Sequence, residues 1–154
     1  MAIHRLLYRS DMHLAGTAAG IRQQVAEIVR ISEARNAADG LTGALLHTRG
    51  VFIQVLEGPL PAVEATFERI CCDLRHRRVE LIELVEAEER VFGEWLMGQI
   101  SADQTIERLV SCLPTGEDQI PEAVSAQATI QLMRTLLVSA PTQAASSRQM
   151  LDTS

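Results

Sequence analysis

Gln54 is the residue hardest to explain as simple packing. It lies inside Val51-Phe52-Ile53-Gln54-Val55-Leu56, where apolar residues occupy both faces of a strand. Such a strand is central and buried, yet the amide brings two donors and two acceptor lone pairs that need partners. Leaving one buried polar group unpaired costs about 1–3 kcal/mol. The amide therefore bonds a neighbouring side chain or contacts a ligand. Tyr8, the only tyrosine, stands in Ile3-His4-Arg5-Leu6-Leu7-Tyr8-Arg9 and shares a face with His4 and Leu6. Taken alone, it reads as a core tyrosine with a bonded hydroxyl. Asn36 extends the buried stripe of the first helix through Val25, Val29 and Ser32, which makes it either a helix cap or a ligand contact. By itself it favours the cap. The run Asp73-Leu74-Arg75-His76-Arg77-Arg78 is expected to close a helix, whose dipole suits cations at that end. The same cluster could hold a phosphate or a ribityl chain. Trp95 and Met97 are expected to share one face of a strand, ordinarily as core packing.

The elements that must position these residues follow from periodicity. Residues 3–9 predict a strand, and residues 17–37 a helix with the stripe Ile21, Val25, Ile28, Val29 and Ser32. Gly40 suits a left-handed cap. Residues 43–48 and 51–55 predict a hairpin turned at Arg49-Gly50. A helix over 61–74 carries Val63, Phe67, Ile70 and Leu74 on one side. Strands are expected over 79–87, with Glu80, Glu83 and Glu86 exposed near an edge, and over 95–100. The order βαββαββ is the split βαβ arrangement of an α+β, ferredoxin-like fold with one extra strand. Both helices would then cover one sheet face. The first strand lies between partners in such folds, so Tyr8 can approach Gln54. The other face needs a cover, supplied by Ile106, Leu109, Val110 and Leu113 after a capping box at Ser101–Gln104. A second helix, starting at Pro121, adds Val124, Ile130, Met133, Leu136 and Leu137. From Pro141 onward the composition predicts a disordered tail. The expected organisation is a sheet-and-helix domain over 1–100, a helical extension over 101–140 and a tail over 141–154.

Composition narrows the function. The chain has 154 residues, enough for one domain with its own core, and a net charge of −6, which argues against nucleic-acid binding. No apolar run reaches the roughly 18 residues of a membrane span. The N-terminus has no signal-peptide pattern. Cys71 and Cys72 are adjacent, Cys112 is distant, and no CxxC spacing exists. Neither a zinc site nor a disulfide framework is suggested, and a reducing cytoplasm is the expected home.

Taken together, the residues resemble a known family. The strings Leu7-Tyr8-Arg9-Ser10, Arg35-Asn36-Ala37-Ala38-Asp39-Gly40-Leu41-Thr42-Gly43, Phe52-Ile53-Gln54-Val55-Leu56-Glu57-Gly58-Pro59, Asp73-Leu74-Arg75-His76 and Arg90-Val91-Phe92-Gly93-Glu94-Trp95-Leu96-Met97-Gly98 are similar, in order, to the BLUF domain. That domain is a blue-light sensor using flavin, and the resemblance covers about residues 3–100. It implies a flavin, usually FAD with FMN or riboflavin as alternatives, held between the two helices on the sheet. It implies that Tyr8 donates an electron to the photoexcited ring and that Gln54 lies between Tyr8 and the flavin. It implies that Asn36 bonds the polar edge of the ring, that Arg75 and His76 lie near the flavin, and that Asp73 helps to place them. Trp95 and Met97 match a fifth-strand pair that exchanges places near Gln54. Arg35 departs from the pattern, because many relatives carry Asn or His there. No effector domain is recognisable after residue 100, so a short, stand-alone photoreceptor is expected rather than an enzyme. Its output would pass through the fifth strand and C-terminal helices to an unidentified signalling partner, with a homo-oligomer also expected.

Three other classes fit some of the residues. One is a ferredoxin-like interaction module without flavin. Another is a small hydrolase using Arg9 and Asn36, although Ser10–Gly16 is not a glycine-rich phosphate loop and no nucleophile–base pair stands out. The third is a thiol photoreceptor through Cys71 or Cys72, which no motif supports.

Overall fold

The computed structural model describes residues 2–48, 50–73, 75–101 and 122–138. Its elements are β1 (Ile3–Met12), α1 (Ala18–Asp39), β2 (Thr42–Thr48), β3 (Val51–Gly58), α2 (Leu60–Cys71), β4 (His76–Ala87), β5 (Gly98–Ser101) and α3 (Glu122–Val138). The five strands form one sheet in the order β4-β1-β3-β2-β5. β1 pairs antiparallel with both β3 and β4, β2 and β3 form the antiparallel hairpin, and β5 runs parallel to β2. This is the expected α+β, ferredoxin-like sheet with one strand added at the β2 edge.

Period-two alternation divides the sheet into two cores. Leu6, Tyr8, Leu45, Phe52 and Leu56 pack with Val25, Ile28 and Val29 of α1 and Val63 of α2. Leu7, Ala44, Leu46, Ile53, Val55 and Ile100 pack with Ala126, Ile130, Met133 and Leu137 of α3. Each fully buried aliphatic side chain contributes about 1.5–3 kcal/mol. The face opposite α1 and α2 is thus covered by a C-terminal helix, as the apolar stripe of residues 124–137 requires. The shorter helix expected near Ile106 to Leu113 and the tail from Pro141 lie outside the described residues.

Local chemistry sets the element ends. Thr17 caps α1, its hydroxyl accepting the Gly20 N–H at 3.1 Å. Gly40 ends the helix at φ 72°, where a side chain would be strained, and its N–H returns to the Asn36 carbonyl. Two expectations are corrected. The second helix does not run to residue 74 and end in the basic cluster. It stops at Cys71, because the Asp73 carboxylate accepts the Arg75 backbone N–H at 2.9 Å and closes a turn instead. His76, Arg77 and Arg78 therefore open β4. The fifth strand does not begin at Trp95 but at Gly98. The buried Glu57 carboxylate takes the N–H groups of Val91 and Phe92 at 2.8 and 2.6 Å, and the Trp95 N–H bonds the Phe92 carbonyl at 3.1 Å. With those donors engaged, residues 88–97 form a loop rather than a ladder.

Candidate functional site

Tyr8 of β1 and Gln54 of β3 are cross-strand partners on the face covered by α1 and α2. Both side chains are buried, and the Tyr8 hydroxyl donates to Gln54 Oε1. Burial holds the phenol well above its ordinary pKa, with Asp73 and Cys71 adding to the shift, so Tyr8 stays protonated. Gln54 Nε2 points the other way, 3.6 Å from the Met97 Sδ. A thioether is a weak acceptor, so a buried NH2 group is served below its capacity.

Gln54 lies in the wall of an open cleft between α1 and α2. From α1 come Ile28, Ile31, Ser32, Arg35 and Asn36; from α2, Thr66, Arg69 and Ile70. Asp73, Arg75 and His76 close one end. Asn36 is buried at the end of α1, and its Nδ2 donates to the Leu96 carbonyl at 2.6 Å. It therefore ties α1 to the segment that carries Met97. The cap role belongs to its backbone, since its carbonyl takes the Gly40 and Leu41 N–H groups. Arg75 makes a two-pronged pair with Asp73, Nε to Oδ1 at 3.0 Å and Nη2 to Oδ2 at 2.6 Å. That hydrogen bond lowers the Asp73 pKa and raises that of Arg75, so both remain charged at the cleft mouth. His76 is buried, with Nδ1 2.8 Å from Ser10 Oγ. Burial pushes its pKa below the ordinary histidine value.

Sequence alone placed Trp95 beside Met97 on the face toward Gln54, and here the structure differs. Met97 packs with Tyr8 and Phe52 on the α1/α2 side, whereas Trp95 packs against the core under α3. Its ring lies 6.4 Å from that of Phe92, and the Arg134 guanidinium sits 5.8 Å above it. Arg134 Nη1 also donates to the Val91 carbonyl at 2.5 Å. Residues two apart share a face only in a regular strand, and Trp95–Met97 precede β5. Arg9 and Asn36 are likewise separated by the sheet, since Arg9 alternates with Tyr8 and follows the Leu7 face. Cys71 and Cys72 are exposed and Cys112 lies outside the described residues. Among the described residues no cluster of His, Cys, Asp and Glu could hold a metal ion.

Glu57 is the organising residue that sequence reasoning missed. It is fully buried on the face opposite Gln54 and accepts Arg5 Nε at 2.8 Å as well as the two loop N–H groups. Arg90 secures the same loop to Thr42 Oγ1, the Glu57 carbonyl and the Gly40 carbonyl. A carboxylate inside an apolar strand was the available signal. The donor set of the cleft — the Gln54 amide, a cationic Arg75 and apolar Ile walls — suits a flat heterocycle bearing carbonyl and ring-nitrogen acceptors, so the residues present fit a flavin.

Comparison with known proteins agrees with that fit. Residues 3–98 match the family model described as BLUF, sensors of blue-light using FAD. A photoactivated adenylate cyclase subunit beta-like protein FB of Euglena gracilis is 37% identical over 83 residues, 53% of this chain and 10% of that protein. The chain thus spans about a tenth of that curated relative. A solved structure titled BlrB, a BLUF protein in its dark state, is 31% identical with a TM-score of 0.70, covering 90% of this chain and 97% of that one. The photo-activated state of BlsA has a TM-score of 0.72 at 23% identity, covering 86% of this chain and 94% of that one, which shows a shared fold.

Proposed function

Because this chain belongs to the BLUF family of flavin-using blue-light sensors, we propose that it is a photoreceptor whose switch is the Tyr8–Gln54–Met97 relay. The observation that carries this reading is Gln54, bonded to Tyr8 and facing Met97, in the lining of the cleft between α1 and α2. A bound flavin, FAD by the family's description with FMN or riboflavin as alternatives, supplies a light-driven electron acceptor and hydrogen-bond acceptors at its carbonyls and ring nitrogens. Tyr8 would be the source of one electron and of the Oη proton that moves toward Gln54. The return of both restores the dark state. Before light, Tyr8 is a protonated phenol donating to Gln54 Oε1, which fixes the NH2 end of the amide toward Met97 and the cleft. Reversal of the Gln54 amide, by rotation or tautomerisation, changes which end faces Tyr8 and which faces Met97. Asn36 would hold the polar edge of the ring, and Arg75, placed by Asp73, and His76 would hold the flavin at the end of the cleft they line. No substrate is transformed in this scheme, so we read the chain as a sensor rather than an enzyme.

The signal leaves through the segment 95–98. Met97 faces Gln54 and Trp95 faces α3, so a displacement on one sheet face is felt on the other. Gly98 adds a close contact: a Cβ there would fall 2.7 Å from Leu137 Cδ1 of α3. We read 1–100 as the sensory domain and 101–140 as the output extension, acting on a downstream partner protein. Leu81, Leu84 and Val85 are exposed on the edge strand β4, which supports a homo-oligomer. No helix among the described residues is long and apolar enough to cross a membrane, and we place the protein in the cytoplasm. The test is retention of flavin. Protein refolded with excess FAD, FMN and riboflavin should keep one of them non-covalently after gel filtration. Retention of none contradicts the reading.

A further inference from the structure

We infer that Ser10 is a positioning residue: it fixes His76 as the tautomer protonated at Nε2, so that the imidazole aims a hydrogen-bond donor into the cleft at an acceptor of the flavin. The inference rests on the flavin-binding reading above. Ser10 Oγ and His76 Nδ1 are 2.8 Å apart, and the two residues are only 1% and 8% exposed. A neutral imidazole has one donor and one acceptor nitrogen, and a hydroxyl has one donor. If Nδ1 carried the proton and donated to Oγ, the buried hydroxyl proton would have no further acceptor among the described residues. If Ser10 donates to Nδ1, the hydroxyl and Nδ1 are both satisfied and the donor left open is Nε2–H, and an unmade buried hydroxyl donor is the costlier arrangement. The proton then belongs to Nε2, the nitrogen left for the cleft that His76 lines. The rings of Phe52 and Tyr8, with centroids 4.8 and 6.1 Å from that of His76, hold the imidazole in place. Burial favours the neutral ring and Arg75 adds to that, while Asp73 opposes it.

The backbone is shaped to make this contact. His76 pairs with Met12, so Ser10 is its diagonal neighbour on the same face. Between them the β1–β4 ladder slips: Arg9 pairs with Glu80 and Asp11 with Arg77. Arg78, inside the slip, is the only non-glycine residue with positive φ among the described residues, at 51°. A bulge of this kind re-aims nearby side chains, and such strain persists where the surroundings over-determine it. It also accounts for a serine in a buried strand position, where a β-branched residue would pack as well.

The test is the long-range proton–nitrogen spectrum of the full chain labelled with ¹⁵N-histidine. His76 is assigned by the signals lost in His76→Gln. The wild type should show an acceptor-type Nδ1 and a protonated Nε2, in flavin-free and flavin-bound protein alike. Ser10→Ala should mix the two tautomers, and Ser10→Thr should restore the wild-type pattern. In flavin-loaded protein, Ser10→Ala should change the dark-recovery rate by roughly three- to tenfold, the factor carried by one neutral hydrogen bond. A protonated Nδ1 in the wild type overturns the inference whatever the variants do. So does a Ser10→Ala protein with unaltered tautomer or recovery. A wild type that holds no flavin would instead overturn the functional reading, leaving the tautomer result to stand by itself.

Discussion

Replacing Glu57 by Gln should destabilise the protein far more than a conservative substitution normally does. The Glu57 carboxylate is fully buried and accepts three donors: Arg5 Nε at 2.8 Å, Val91 N at 2.8 Å and Phe92 N at 2.6 Å. The amide keeps one acceptor oxygen but turns an NH2 group toward the remaining donors. Bonds to a charged group are worth about 1.5–3 kcal/mol each, and breaking a buried pair costs about 3–5 kcal/mol. One surviving acceptor reduces the sum, so the expected loss is about 3–5 kcal/mol. In a domain of this size each kcal/mol moves the midpoint about 2–4 °C, which gives a Tm lower by roughly 6–20 °C. Arg5→Gln should cost less, because Glu57 keeps its two backbone donors and the Arg5 side chain is 16% exposed and partly hydrated. Thermal unfolding followed by circular dichroism, with equal flavin loading, measures both. A Glu57→Gln midpoint within about 2 °C of wild type, or a larger loss for Arg5→Gln, would refute the claim that this carboxylate holds the loop carrying Trp95 and Met97.

Met97→Ala should retain flavin but reduce the light–dark difference in hydrogen exchange over residues 95–101 and 122–138. An undiminished difference would remove Met97 from the output route. Arg134→Gln, which loses the Val91 carbonyl bond and the contact over Trp95, should shrink the exchange difference in α3 while leaving the flavin spectrum unchanged; an altered spectrum would count against separate sensing and output faces. Burial lowers the pKa of His76 and His47 in the folded state. The unfolded chain therefore binds more protons as pH falls through about 6.5, and stability should drop from pH 7.5 to 5.5. Urea unfolding at both values should show that loss, reduced in a His47→Gln, His76→Gln double variant; the same loss in the variant would assign it to other groups.

Much of the fold was legible because the short apolar runs of β1 and β3 and the helical stripes of α1 and α3 are strong local signals. Tyr8 and Gln54 stood out as polar groups in apolar strands, and the strand order brought them together. The errors have a common cause. Periodicity sees apolar residues but not which backbone donors a distant carboxylate captures. Glu57 converts residues 88–97 into a loop, so Trp95 and Met97 diverge to opposite faces although their spacing implies one. The Asp73 turn likewise cut α2 short and moved the basic cluster into β4. Ser10 fell just past the strand predicted over 3–9 and drew no role, because its partner His76 is 66 residues away and a slipped ladder brings them together.

The central claim is that Tyr8 and Gln54 form a light-operated hydrogen-bond switch over a bound flavin, and the light-minus-dark absorption spectrum tests it most directly. Blue light should shift the flavin bands of the wild type to the red, with full return in darkness. Tyr8→Phe, which keeps the ring but not the phenol, and Gln54→Leu, which has nothing to reverse, should both bind flavin and lose that shift. A wild type with no reversible shift, or either variant with a wild-type photocycle, would contradict the account.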